Sequence, residues 1–289
     1  MKLTHLFPAL AIMGALVLGT TACSGGVTAA TSHPSQTFPA GSTMAKIQER
    51  GKVIVGVKFD QPLFGVKNPV SGTMEGLDIE MAKILAKNLT GSADNVEYVE
   101  AVTKNREAFI EQNKVDVVIA SYAVTDARKK VVSFAGPYLE SNVALMVRKD
   151  DPSVDKPADL AGKNVCSTTG ARAAQLIGQA VPDAKLILFS TYSECAQALK
   201  DKRVDAVTTT EAILLGIESQ NPDAFRIASG HLADSEEFAI GSAKGDTAFH
   251  DYLDGVLTKA IADGDWNKAY EATIGKVKPG NVTPPKIVL

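Results

Sequence analysis

The chain has 289 residues, 45% hydrophobic and 22% charged, which allows a sizeable core in one or two domains. A formal net charge of −3, with no basic run, argues against a nucleic-acid partner. Cys23, Cys166 and Cys195 contain no CxxC pair, and His5, His33, His231 and His250 are too scattered for a catalytic or metal-ligand constellation.

Residues 1–22 have the form of a secretory signal: Lys2, an apolar run from Leu6 to Leu18, then Gly19-Thr20-Thr21-Ala22. The run is shorter than the roughly 20 apolar residues of a membrane span. Ala22-Cys23 resembles the end of a bacterial lipobox, whose cysteine is lipidated and becomes the mature N-terminus, although Thr20 replaces the usual Leu. The alternative is ordinary secretion with a free Cys23 thiol. Residues 23–43, rich in Ser, Thr, Gly and Pro, are expected to form a lipidated flexible tether. The mature protein is then extracytoplasmic, anchored to the bacterial cell membrane and not embedded in it.

From Met44 strands and helices alternate. Residues 53–57 (VIVGV) predict a buried strand, and residues 76–89 a helix with Leu77, Met81, Ile84, Leu85 and Leu89 on one side. A strand over 96–99, a helix over 106–112 and a strand over 115–120 follow. The stretch ASYAVTDARKKVVSFAG (residues 120–136) then turns from that strand into a helix beginning at Thr125. Thr125 suits the N-cap, but Arg128, Lys129 and Lys130 face the positive end of the helix dipole. Arg128, just past the carboxyl end of a strand, is placed to hold an anion jointly with the helix end; Lys129 and Lys130 suit solvent.

Further on, the pattern predicts strands at 143–148, 162–166, 186–189 and 206–209, and helices at 171–179 and 193–200. Residues 247–274 predict two helices around Gly264. EQNKVDVVIAS (residues 111–121) is echoed by KDKRVDAVTTT (residues 200–210), and Gly51-Lys52-Val53 by Gly162-Lys163-Asn164-Val165. The echoes come in matched order and point to two similar α/β lobes around a shared crevice. Cys166 after a strand and Cys195 opening a helix of the same lobe are expected to form a disulfide outside the cytosol. Asp78 suits a helix-start or hinge residue better than a general base, and His231 and His250 suit the surface.

These stretches, with GVKFDQP (residues 56–62), KNP (67–69), TDARKK (125–130), FAGPYLES (134–141), YSEC (192–195) and VDAVTT (204–209), resemble the glutamate-binding lipoproteins of ABC importers. Those belong to the family 3 extracellular solute-binding proteins. The resemblance covers residues 46 to 275. It implies a periplasmic-binding-protein-like α/β fold: two lobes joined by two hinge strands with the ligand cleft between them, no catalysis and no cofactor. Lobe 1 is expected over residues 44–140 plus 237–289, and lobe 2 over 141–236. The closed form would dock, as a monomer, on an ABC permease in the membrane.

Carried over position by position, the ligand set is Lys58, Arg106, Ser121, Ala123, Arg128, Thr169, Gly170, Ala171, Arg172, Tyr192 and Thr210. Lys58, Arg106 and Arg128 could converge on a small anionic ligand, an acidic amino acid or derivative. Ala123 replaces a Ser or Thr, Ala171-Arg172 a hydroxyl pair, and Thr210 the Asp that pairs with an α-ammonium. With only a neutral Thr210 there, the site is expected to bind free glutamate weakly and to prefer an anion without an ammonium. The alternative is that Arg172 points to solvent and Glu211 takes the ammonium. Two other classes remain at this stage: a cyclohexadienyl-dehydratase-like enzyme on the same scaffold, with Glu211 as its acid, and a ligand-sensing lipoprotein.

Overall fold

The computed structural model describes residues 36–280 and 282–288. The expected signal, Cys23 and most of the tether, with His5 and His33, lie outside the described residues. The end of the expected tether is docked rather than free: Phe38 packs edge-on against Tyr252 at 5.1 Å, and the Gln36 carbonyl accepts from Gln48 Nε2 at 2.8 Å.

The chain opens with α1 (Thr43–Arg50), capped by the Ser42 hydroxyl, and β1 (Val53–Val57). Three short strands follow, β2 (Asp60–Gln61), β3 (Gly65–Lys67) and β4 (Met74–Glu75), which form their own small sheet. Then come α2 (Leu77–Thr90), β5 (Val96–Glu100), α3 (Arg106–Glu111), β6 (Val117–Val118), α4 (Asp126–Lys129) and β7 (Val132–Arg148). The second part holds β8 (Asn164–Thr168), α5 (Arg172–Ala180), β9 (Lys185–Phe189), α6 (Tyr192–Lys200), β10 (Ala206–Thr210), α7 (Glu211–Gln220) and β11 (Phe225–Ala243). Helices α8 (Thr247–Ala262) and α9 (Asp265–Ala272) close the chain.

Of the predicted α2 face, Leu77, Met81, Leu85 and Leu89 are sealed from solvent and Ile84 is half-buried. Gly76 at its start is required by contact as well as by its φ of 127°, because a Cβ there would meet the Phe64 carbonyl oxygen at 2.2 Å.

Eight strands form one sheet in the order β5-β1-β6-β11-β7-β10-β8-β9. Within each outer triplet, β5-β1-β6 and β10-β8-β9, every pair of neighbours is parallel. Between the triplets run β7 and β11, paired antiparallel from Val132↔Ala243 to Arg148↔Phe225. These two strands pass from one lobe into the other, so the fold is two α/β lobes on two shared hinge strands. The disulfide is present: Cys166 and Cys195 lie 5.6 Å apart at Cα and are bonded.

Two expectations change. The strand expected over 115–120 pairs only at Val117–Val118, and the one over 143–148 is the tail of a 17-residue hinge strand. Neither α7 nor β11 was anticipated. Helix α7 carries Ala212, Ile213, Leu214 and Ile217 buried on several sides, which blurs its helical period.

Candidate ligand-binding site

Between the lobes lies a small cavity of about 20 Å³. Its first-lobe wall is built where β6 and α4 meet. Thr125 caps α4 as expected, its hydroxyl accepting from Arg128 N, and Arg128 is buried while Lys129 and Lys130 are exposed. Arg128 donates from Nε to Glu107 Oε1 (2.9 Å), from Nη1 to the Ala123 carbonyl (2.6 Å) and from Nη2 across the cleft to the Gly170 carbonyl (2.7 Å). Arg106 donates from Nε to the Thr103 carbonyl and from Nη1 to the Ala120 and Ser121 carbonyls, at 3.1, 3.1 and 3.2 Å. The two guanidiniums lie 4.4 and 5.3 Å from the Tyr122 ring centre, within reach of its π face. Burial and then the Arg128 charge lower Arg106 to a pKa of about 10, still protonated at neutral pH.

Asp78 holds this wall in shape and stays out of the cavity. Its carboxylate accepts from Ser121 N (2.9 Å) and from the Tyr138 hydroxyl (2.7 Å), fixing Ser121 at a φ of 42°. Burial pushes Asp78 up to about 7 despite those two donors. Ser121 Oγ in turn accepts from Gln61 Nε2 at 2.7 Å.

The opposite wall carries Ala171, Arg172, Ala173, Tyr192, Thr209, Thr210 and Ile213. Across the floor comes Glu236, from the hinge strand β11 and only 5% exposed. The Thr210 hydroxyl donates to Glu236 Oε2, and Arg172 Nη1 sits 3.5 Å from Oε1. The cavity is therefore lined by three guanidiniums and one carboxylate.

Of the sequence-derived set, Arg106, Ser121, Ala123, Arg128, Ala171, Arg172, Tyr192 and Thr210 line this cavity. Lys58 does not. Its ammonium donates to Thr103 Oγ1 at 2.9 Å and lines an adjoining cavity that shares only Gln61, Thr103 and Tyr192. Burial, then the Arg106 charge, lowers Lys58 to about 7, well below an ordinary ammonium. Thr169 and Gly170 are exposed, and Gly170 enters the site through its carbonyl, held by Arg128.

Glu211 opens α7 and faces away from the cavity. Its carboxylate meets Lys278 at 3.1 Å and His231 at 3.6 Å. Arg172 points to Glu236, not to solvent. A carboxylate outside the sequence-derived set, Glu236, lines the same cavity beside Thr210. Its signal was present in the run EEFAI, since Glu236 shares a strand phase with the apolar Phe238 and Ile240. Of the two histidines, His231 is exposed, whereas His250 is half-buried with Nε2 against the Phe134 carbonyl at 2.8 Å.

Residues 53–276 match the model of bacterial extracellular solute-binding proteins, family 3. The chain belongs to that family. The solute-binding protein is 34% identical over 239 residues to the glutamate-binding protein GluB of Corynebacterium efficiens, covering 79% of this chain and 80% of that one. It is 37% identical over 211 residues to a glutamine-binding protein of Geobacillus stearothermophilus, with 73% and 79% covered. In three dimensions it is similar to a solute receptor for L-cysteine of Neisseria gonorrhoeae, with a TM-score of 0.79, 32% identity, and 84% of this chain and 98% of that one covered. These relatives are binding proteins, and this chain is one too, not an enzyme. Among the described residues no helix is long and apolar enough to cross a membrane.

Proposed function

We propose that this solute-binding protein is the extracytoplasmic receptor of an ABC importer and that its ligand is an acidic amino acid or a close derivative. The observation that carries the ligand class is the charge of the cavity: Arg106, Arg128 and Arg172 against the single carboxylate of Glu236. A ligand with two carboxylates and one ammonium complements that set, one carboxylate between Arg106 and Arg128 and the other toward Arg172. The Ser121 and Thr210 hydroxyls, the Ala123 and Ala171 backbone and the Tyr192 side chain complete the enclosure. The glutamate- and glutamine-binding relatives support an amino-acid ligand.

The lobes divide at residues 140/141 and 236/237, where Glu140↔Glu237 and Ser141↔Glu236 are paired across the hinge strands. The closed receptor, a monomer tethered by a lipid on Cys23, presents both lobes to a permease. The test is titration calorimetry against all common amino acids. L-Glutamate or L-aspartate is expected to bind at micromolar Kd or tighter. Tight binding of a neutral or basic amino acid with neither acidic one bound would overturn the ligand class.

A further inference from the structure

We propose that Glu236 receives the ammonium of the bound amino acid, and that the ammonium does so by displacing Arg172. This rests on the receptor reading above and assigns a residue that the sequence motifs left out. Glu236 is 5% exposed and reaches the cavity from a hinge strand, so it is a carboxylate withdrawn from water and aimed at the ligand space. An ionised carboxylate offers about four acceptor positions. Thr210 and Arg172 are its only side-chain partners among the described residues.

The two partners differ. Thr210 is fully enclosed, and its hydroxyl orients Oε2 from the end of β10. Arg172 stands 3.5 Å from Oε1, the outer limit of a hydrogen bond, and its side chain is 26% exposed. A compact ammonium with three donors fits between the cavity walls and Oε1 better than a distant fork does. Arg172 also lines the adjoining pocket with Lys104, Glu107 and Arg128, so a displaced guanidinium has polar space to enter. There it stands beside Arg128, on the side where a ligand carboxylate would lie. One exchange of partners thus neutralises the buried acid with the ligand's amine and releases a cation for the ligand's acid.

The experiment is calorimetry on the purified protein with L-glutamate, L-aspartate, L-glutamine and L-cysteine. The tightest binder is then compared with its N-acetyl and desamino counterparts. Glu236→Gln is expected to weaken the amino acid 100-fold or more while leaving the desamino compound within threefold of wild type. Adding Thr210→Asp to that variant should recover tenfold or more. Binding of the amino acid by Glu236→Gln within threefold of wild type would overturn the proposal. Should Glu236→Gln fail to fold, wild type alone decides. An N-acetyl or desamino compound bound as tightly as the amino acid defeats the proposal, and a 100-fold loss supports it. If wild type binds none of the four amino acids, the receptor reading fails first.

Discussion

Asp116 in the first lobe and Asp205 in the second occupy equivalent turns. Each carboxylate accepts the amide of a neighbouring strand's residue, Ile54 at 2.7 Å and Asn164 at 2.8 Å, and each amide donates back to that residue's carbonyl at 2.8 Å. Each also has an arginine beside it, Arg50 or Arg148. The Val-Asp echo in the sequence is therefore one local device used twice, closing a strand against its neighbour. At the cleft the same two lobes part company. The first presents the buried cations Arg106 and Arg128 stacked on Tyr122; the second presents Tyr192, Thr209 and Thr210, with Arg172 already turned to Glu236. A shared plan thus sets where the walls stand, while the residues just beyond the strand ends set what each wall binds.

The sharpest break of this asymmetry is Arg128→Ala. It removes the one side chain that faces the cavity and also bonds to Gly170 in the other lobe. Losing one side of a buried guanidinium–carboxylate pair costs ~3–5 kcal/mol, so affinity for the cognate ligand should fall by about two to four decades. Arg128→Lys should also bind poorly, because the planar fork is gone. Calorimetry on both variants, with circular dichroism to check the fold, measures the effect. Binding within threefold of wild type would place Arg128 outside the ligand contacts.

The disulfide among the described residues staples the second lobe. Replacing Cys166 and Cys195 by Ala should lower stability by up to ~4 kcal/mol on the chain-entropy account. Hydrogen exchange should show the loss concentrated in β8 and α6, with α2 and β1 in the first lobe still protected. Uniform loss of protection would show that the lobes unfold as one unit.

Charge crowding on the first wall has its own pH signature. Lys58 has a folded pKa of about 7 against 10.5 for the free side chain. Between those values the unfolded chain holds a proton that the folded chain has released. Stability due to Lys58 therefore rises with pH from about 7 to 10.5 and is lost as pH falls through 7. Lys58→Met should be more stable than wild type at pH 6 by ~2–4 kcal/mol, and the lead should shrink as pH approaches 10. Asp78, raised to about 7, acts in the opposite sense below neutrality and is present in both proteins. Urea denaturation at pH 6, 8 and 10 follows the difference.

The smallest change tests the contact between the lobes. A Cβ at Gly216, on α7, would meet the Pro62 carbonyl oxygen of the first lobe at 2.5 Å. Gly216→Ala should hold the lobes apart and weaken ligand binding by roughly tenfold, about 1.4 kcal/mol. Within the helix itself Ala is preferred to Gly by ~0.5–1 kcal/mol, so the unliganded protein should not lose thermal stability. Small-angle scattering of the ligand-saturated variant should give a larger radius of gyration than wild type; an unchanged radius with unchanged affinity would show that Pro62 yields.

Features that depend on neighbours a few residues apart could be read without the fold. The period of α2, the Thr125 cap that turns Arg128 inward, the paired Val-Asp turns and the family motifs were all legible, because helix phase, capping and turn chemistry are local. The disulfide was legible because an extracytoplasmic chain favours pairing of two cysteines placed on neighbouring elements of one lobe, here β8 and α6. Tertiary structure decided the rest. The strand expected over 143–148 became the tail of β7, and β11 formed where none was expected, because the two pair along their length across the sheet. That pairing put Glu236 beside Thr210, 26 residues away, and Arg172, 64 away. It also sent Glu211, adjacent to Thr210 in sequence, toward Lys278, 67 residues away. Which carboxylate faces the ligand is a matter of strand register and helix start, and a one-residue difference reverses side-chain direction. No local pattern records that choice until the two long strands are paired.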